Sequence, residues 1–85
     1  MPEICRFLGI KIFMYPLDHE PPHFHAHYQG FRSVWSIQEG TMLAGELPPR
    51  LARIVKRWAT EHQDKLLENW KRCLKNEQPR KIAPL

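Results

Sequence analysis

The apolar positions of this chain change their period partway along it. Between Gly9 and Tyr15 a run rich in β-branched and aromatic residues places Ile10, Ile12 and Met14 on one face. A period of two is that of a β-strand, and Pro16 ends it. The segment from Asp18 to Pro22 cannot continue a ladder, because Pro21 and Pro22 bring no N–H and restrict the residues before them, so it reads as an exposed loop. Phe24 to Tyr28 and Phe31 to Ile37 resume the alternation and meet at Gln29-Gly30, a two-residue hairpin turn in which glycine accepts a positive φ. That turn sets a register. Tyr28 faces Phe31, Ala26 faces Ser33 and Phe24 faces Trp35 on one side, while His27 faces Arg32, His25 faces Val34 and His23 faces Ser36 on the other. A second turn at Glu39-Gly40 returns the chain through Thr41 to Ala44 and sets Met42 beside Ile37.

From Leu47-Pro48-Pro49 onward the period becomes helical. The prolines suit a first turn, and Leu51, Ile54, Val55, Trp58, His62, Leu66 and Trp70 fall three or four apart on one stripe. An unbroken helix from Pro48 to Lys75 would be about 42 Å long at ~1.5 Å per residue, whereas a chain of this length has a radius of gyration of roughly 12 Å. A bend is expected near His62, where Thr60-Glu61-His62-Gln63 has the spacing of a capping box. The tail from Asn76 to Leu85 holds two prolines and no period.

The expectation is a small α+β domain: a three- or four-stranded antiparallel meander, packed on one face by a C-terminal bent helix or two helices. The 85 residues fit one domain, 1–85, with an irregular tail over 76–85. One helical layer covers one face. The face of Phe24, Trp35 and Ile37 suits it, which leaves the face of His23, His25 and His27 to solvent or a ligand.

Composition narrows the class. With 42% hydrophobic and 26% charged residues the chain is globular and not disordered. Lys11 interrupts the only apolar run near the start, which is also too short to span a bilayer, so neither a signal segment nor a membrane partner is expected. Two cysteines without a disulfide framework then read as a reduced, cytoplasmic protein, Cys73 packing a helix and Cys5 acting as a small apolar residue. Thirteen Lys+Arg against nine Asp+Glu give a net charge of +4, which favours an acidic counterpart: nucleic acid, an acidic protein or an anionic surface.

The candidate chemistry is histidine. Four of the five histidines fall between Asp18 and His27, and His23, His25 and His27 at spacing two share a strand face with Arg32 and Ser36. Three readings stand. In the first, metal-independent cleavage of RNA, one of His23, His25 and His27 takes the 2′-hydroxyl proton, another protonates the leaving oxygen, and Arg32 stabilises the charge on phosphorus without a cofactor. In the second, imidazoles of His23, His25 or His27 and a carboxylate from Asp18 or Glu20 hold a divalent metal such as zinc, nickel or iron(II). In the third, Asp18 to His23 is a rigid structural loop and His25 and His27 sit on a solvated face. On the helix, Arg50, Arg53 and Arg57 form a stripe that either contacts phosphates or is solvated. Trp58 and Trp70 read as core, and His62 as half-buried.

The same residues carry a resemblance. Met1-Pro2-Glu3-Ile4 with Arg6-Phe7 and Gly9-Ile10, Met14-Tyr15 before Asp18-His19, the block Pro21-Pro22-His23-Phe24-His25, Trp58-Ala59 with His62, Leu66 to Trp70, and the ending Lys81-Ile82-Ala83-Pro84-Leu85 resemble a family of small bacterial proteins known as domain of unknown function forty-one sixty. The resemblance runs over the whole chain. It implies an arrangement similar to a toxin–antitoxin pair, with a small acidic partner protein encoded nearby and this chain as the toxin half. The family motif covers His19, His23 and His25, whereas position 27 varies there, so His27 departs from it.

The functional expectation is therefore a toxin-like component of a bacterial two-gene module, acting on nucleic acid or its replication or translation machinery. Its candidate catalytic residues are His19, His23, His25 and Arg32. The rival expectation is a non-catalytic interaction or antitoxin-like regulatory module, whose sheet edge or basic helix binds a partner and whose His-Pro loop is structural.

Overall fold

The computed structural model describes residues 3–85; Met1 and Pro2, which carry part of the resemblance, lie outside them. Among the described residues the chain forms β1 (Glu3–Phe7), β2 (Ile10–Phe13), β3 (His23–Tyr28), β4 (Phe31–Ser36), β5 (Met42–Gly45), α1 (Pro49–Glu61) and α2 (Gln63–Leu74). The strands make one antiparallel meander in the order β1-β2-β3-β4-β5. The expected α+β class is found, with five strands in place of three or four.

The additional strand is β1. Its alternation is hidden because the register shifts between Glu3 and Cys5, so that neighbouring Ile4 and Cys5 are both buried. The turn into β2 uses Leu8 and Gly9, both at positive φ (51° and 79°), which suits a two-residue hairpin. Strand β2 is shorter than the expected run from Gly9 to Tyr15: it ends at Phe13, and Met14 continues into the core outside any ladder.

The β3–β4 register is the expected one at every pair from His23↔Ser36 to Tyr28↔Phe31. The turn differs in detail, since the positive φ falls on Gln29 (52°) and not on Gly30. The next connection is corrected. Met42 pairs with Trp35 and not with Ile37, because Ile37 leaves the sheet, its N–H donating to the Pro22 carbonyl, and a register shift follows between Val34 and Trp35.

The helical stripe buries Leu51, Val55, Trp58, Leu66 and Trp70, with Ile54 and His62 half-buried. These residues join Phe7, Ile10, Ile12, Phe24, Ala26 and Trp35 in one core, where the Trp58 ring lies 5.6 Å from Phe7 and 5.8 Å from Phe24. The helix breaks at His62, as a domain only 34 Å in its longest extent requires. The capping box does not form. Thr60 remains inside α1 and its hydroxyl donates to the Lys56 carbonyl, while the Gln63 amide donates to the carbonyls of Ile37 and Gln38. Those bonds tie the start of α2 to the turn after β4.

The tail beyond α2 has no regular element but is docked. Ile82 is buried and its N–H donates to the Ile4 carbonyl, and the Trp58 indole N–H donates to the Ala83 carbonyl at 2.9 Å.

Candidate functional site

The loop between β2 and β3 doubles back toward α2. Leu17 donates its N–H to the Cys73 carbonyl, and this anchor sets Asp18 over the start of β3. There Asp18 Oδ2 lies 2.9 Å from His23 Nε2 and 3.5 Å from His25 Nε2. The other Asp18 oxygen accepts the His19 backbone N–H at 2.8 Å, which fixes the carboxylate plane. Asp18, His23 and His25 each offer a ligand atom, and the three atoms lie within 4.8 Å of one another.

His23 is the most constrained member. Its Nδ1 donates to the Pro21 carbonyl at 2.7 Å, and the Trp70 ring of α2 lies 5.1 Å away, so that only 3% of the residue is exposed. The expectation that all three histidines face solvent is corrected here: the return of the loop and Trp70 cover His23. His25 is half-buried, edge-on to Tyr15 at 4.9 Å. His19 is exposed, its Nδ1 on the Glu20 carbonyl and its Nε2 3.7 Å from Asp18 Oδ1.

Burial alone would push the Asp18 carboxyl up, but the His19 N–H, the His23 charge and the polar contacts with both rings outweigh it and hold the group below the usual carboxylate range. Burial lowers His25, and the bond to Asp18 only partly opposes this. His27 is lowered by burial, then by the nearby charges of Arg32, His25 and Lys11.

His27 is not part of the Asp18 group. Its ring tilts against Phe13 at 4.8 Å, and Phe13 in turn stacks on Tyr15 at 6.2 Å. A metal set that included His27 is therefore corrected to Asp18, His23 and His25. Arg32 lies opposite His27, two residues along the ladder from the His25 pair and four from the His23 pair, and among the described residues its side chain makes no hydrogen bond to a histidine. Both ring nitrogens of His23 are engaged, so acid–base chemistry of the kind expected falls to the exposed His19 and the half-buried His25 and His27.

The registers place Arg6 opposite Lys11, Lys11 opposite His27, and His27 opposite Arg32. Four basic side chains thus form one row across β1 to β4 on the face away from the core, with Phe13, Tyr15 and His25 beside it. Arg6 is already paired with Glu3 at 2.9 Å, whereas Lys11 and Arg32 are exposed and unpaired among the described residues. The period of two that put Ile10 and Ile12 inward carried the signal for this row, since Lys11 and Phe13 must then point outward. On α1, Arg50, Arg53 and Arg57 are exposed, and Arg57 is paired with Glu61 at 3.3 Å. Both cysteines are free and buried, and burial pushes both thiols up.

A protein-family model described as Domain of unknown function (DUF4160) matches residues 9–71, a span that runs from the start of β2 into α2 and leaves out β1 and the docked tail. No curated protein and no solved structure matches the chain.

Proposed function

The chain belongs to the family Domain of unknown function (DUF4160), and on that footing we propose that it is a nucleic-acid-binding, toxin-like component of a bacterial two-gene module. Nucleic acid, or the replication or translation machinery that carries it, is the target. The observation that carries this reading is the cross-strand row of Arg6, Lys11, His27 and Arg32 on the sheet face away from the core. Three steps between strands make the row about 14 Å long at ~4.8 Å per strand, enough to follow a single strand rather than grip one phosphate. The half-buried rings of Tyr15 and His25 flank it, with buried Phe13 packed beneath Tyr15, and rings beside basic groups are the means by which proteins hold unpaired bases. A net charge of +4 supports the same assignment. The free, buried cysteines Cys5 and Cys73 accord with the cytoplasm as its compartment, and among the described residues no helix is long and apolar enough to cross a membrane.

Fluorescence anisotropy with short single-stranded RNA and DNA tests the reading. Each phosphate neutralised on a single strand adds roughly 0.7 to the salt slope, so replacing both Lys11 and Arg32 by alanine should weaken binding and lower the slope by about 1.4. An unchanged slope, with weaker binding instead on replacing Arg50, Arg53 and Arg57, would move the interface to α1. Absence of binding at low salt would remove the reading. Growth arrest on expression, relieved by the same folded double variant, tests the toxin role.

A second reading, a non-catalytic module held by a small acidic protein, has its own support in the outer edge of the sheet. Strand β5 ends the sheet with Leu43 and Ala44 exposed, whereas the β1 end receives a hydrogen bond from the tail. A bare edge suits a partner that adds a strand, and the net charge of +4 favours an acidic one.

A further inference from the structure

We propose that Asp18, His23 and His25 form a binding site for a divalent first-row transition metal of the zinc class, with His19 as a movable fourth ligand. His23 Nδ1 donates its hydrogen to the Pro21 carbonyl at 2.7 Å. In its neutral form the ring therefore has no hydrogen at Nε2, and the lone pair there faces a carboxylate oxygen only 2.9 Å away. His25 Nε2 approaches the same oxygen at 3.5 Å. A lone pair at His23 Nε2 and a carboxylate anion facing each other at 2.9 Å are mutually unfavourable unless a positive charge, a proton or a metal ion, stands between them.

The two distances to Asp18 also admit a metal among the three groups. Ligands at about 2.0–2.2 Å from a tetrahedral zinc lie roughly 3.3 Å apart, and the two distances to Asp18 Oδ2 fall on either side of that value. Metal-binding histidines commonly donate their other ring N–H to a backbone carbonyl, which fixes the tautomer and aims the free nitrogen. His23 does so through Pro21, and His19 does so through Glu20 at 3.1 Å, its own Nε2 then 3.7 Å from Asp18 Oδ1. Each anchor is a carbonyl of the Glu20-Pro21-Pro22 turn, so the prolines that bar this segment from the sheet also hold the rings in place.

The donor set selects the metal. Imidazole nitrogens with one carboxylate suit zinc, cobalt, nickel or iron(II), whereas magnesium and calcium call for more oxygen ligands. Access comes from the His19 side. The His19 side chain is 83% exposed while His23 is 3% exposed, so His19 can leave and return and His23 cannot. This site shares His25 with the rings beside the basic row but does not rest on the nucleic-acid reading.

The test is titration of the chelator-treated full chain with zinc alone, by calorimetry and thermal unfolding, and with cobalt by visible absorption. One equivalent of zinc should bind and raise the unfolding midpoint, cobalt should give d–d bands with nitrogen and oxygen ligation, and magnesium and calcium should do neither. Asp18→Asn and His25→Ala, each with native circular dichroism, should lose zinc binding, His19→Ala should weaken it at unchanged stoichiometry, and His62→Gln should leave it intact. No binding of zinc, cobalt or nickel would overturn the proposal, as would binding undiminished in both Asp18→Asn and His25→Ala. Because a His23 variant can fail by unfolding, ring-nitrogen NMR of the wild type gives a separate reading. A metal-free spectrum with both His23 nitrogens protonated, unaltered by zinc, would identify a simple imidazolium–carboxylate pair and overturn the site.

Discussion

The Asn69 side chain clasps the backbone of Arg80: its Nδ2 donates to the Arg80 carbonyl at 2.8 Å, and its Oδ1 accepts the Arg80 N–H at 2.9 Å. The same oxygen accepts from the Arg72 guanidinium at 2.9 Å, and Asn69 is 1% exposed. An amide in the middle of an amphipathic helix thus serves to dock the tail. Asn69→Ala leaves both Arg80 backbone groups without this partner and should cost about 2–3 kcal/mol. Urea unfolding measures this, and faster proteolysis after Leu74 should accompany it.

Gly45 presses against β4. At φ +88°, a Cβ there would stand 2.8 Å from the Ser33 Cα and still closer to the Arg32 carbonyl oxygen. Both partners are backbone and cannot turn aside. Gly45→Ala should destabilise the fold by roughly 2 kcal/mol or more, and hydrogen exchange should show the loss concentrated in β5.

Ser33 is a polar residue in the core, 2% exposed, and it satisfies two neighbours at once. Its hydroxyl donates to the Ala26 carbonyl and accepts the Trp35 indole N–H, each at 2.9 Å. Ser33→Ala keeps the shape but strands the indole N–H, with an expected cost of about 1–3 kcal/mol. Thermal unfolding of Ser33→Ala beside a Ser33→Ala, Trp35→Phe double variant checks the cause, because the second change should cost less in the presence of the first.

Stability should fall at both ends of the pH scale. Burial raises the Cys5 and Cys73 thiols above their ordinary value of 9.0 in the folded chain. The unfolded chain then loses these protons first, so it binds fewer protons and stability declines as pH rises through about 9. On the acid side, the Arg6 hydrogen bond holds Glu3 below 4.5, so its contribution is present above that value and lost as pH falls through the lower folded one. Unfolding midpoints across the pH range check both limbs. Cys5→Ala with Cys73→Ala should flatten the alkaline one, and native protein should react with iodoacetamide far more slowly than urea-unfolded protein.

Features of this fold were legible in the sequence to the extent that they are local. The β3–β4 register could be read because a two-residue turn and a period of two determine it between them. Strand β1 could not, because the shift at Ile4 turns two successive residues inward and erases the period. The donor types of the Asp18 group were visible and its shape was not. Which histidine joins depends on the Leu17 bond to Cys73 and on Trp70 covering His23, and both come from a helix far along the chain. The capping-box spacing at Thr60 misled for a similar reason, since Gln63 found carbonyls after β4 instead of the N–H groups of its own helix.

The two ends of the sheet are not equivalent, and this bears on stoichiometry. The tail closes on β1 through the Ile82 N–H, while β5 has no strand beyond it. With β1 guarded by the tail, strand addition at β5 adds one partner per chain, or pairs two β5 strands, and growth past that requires displacing the tail from β1.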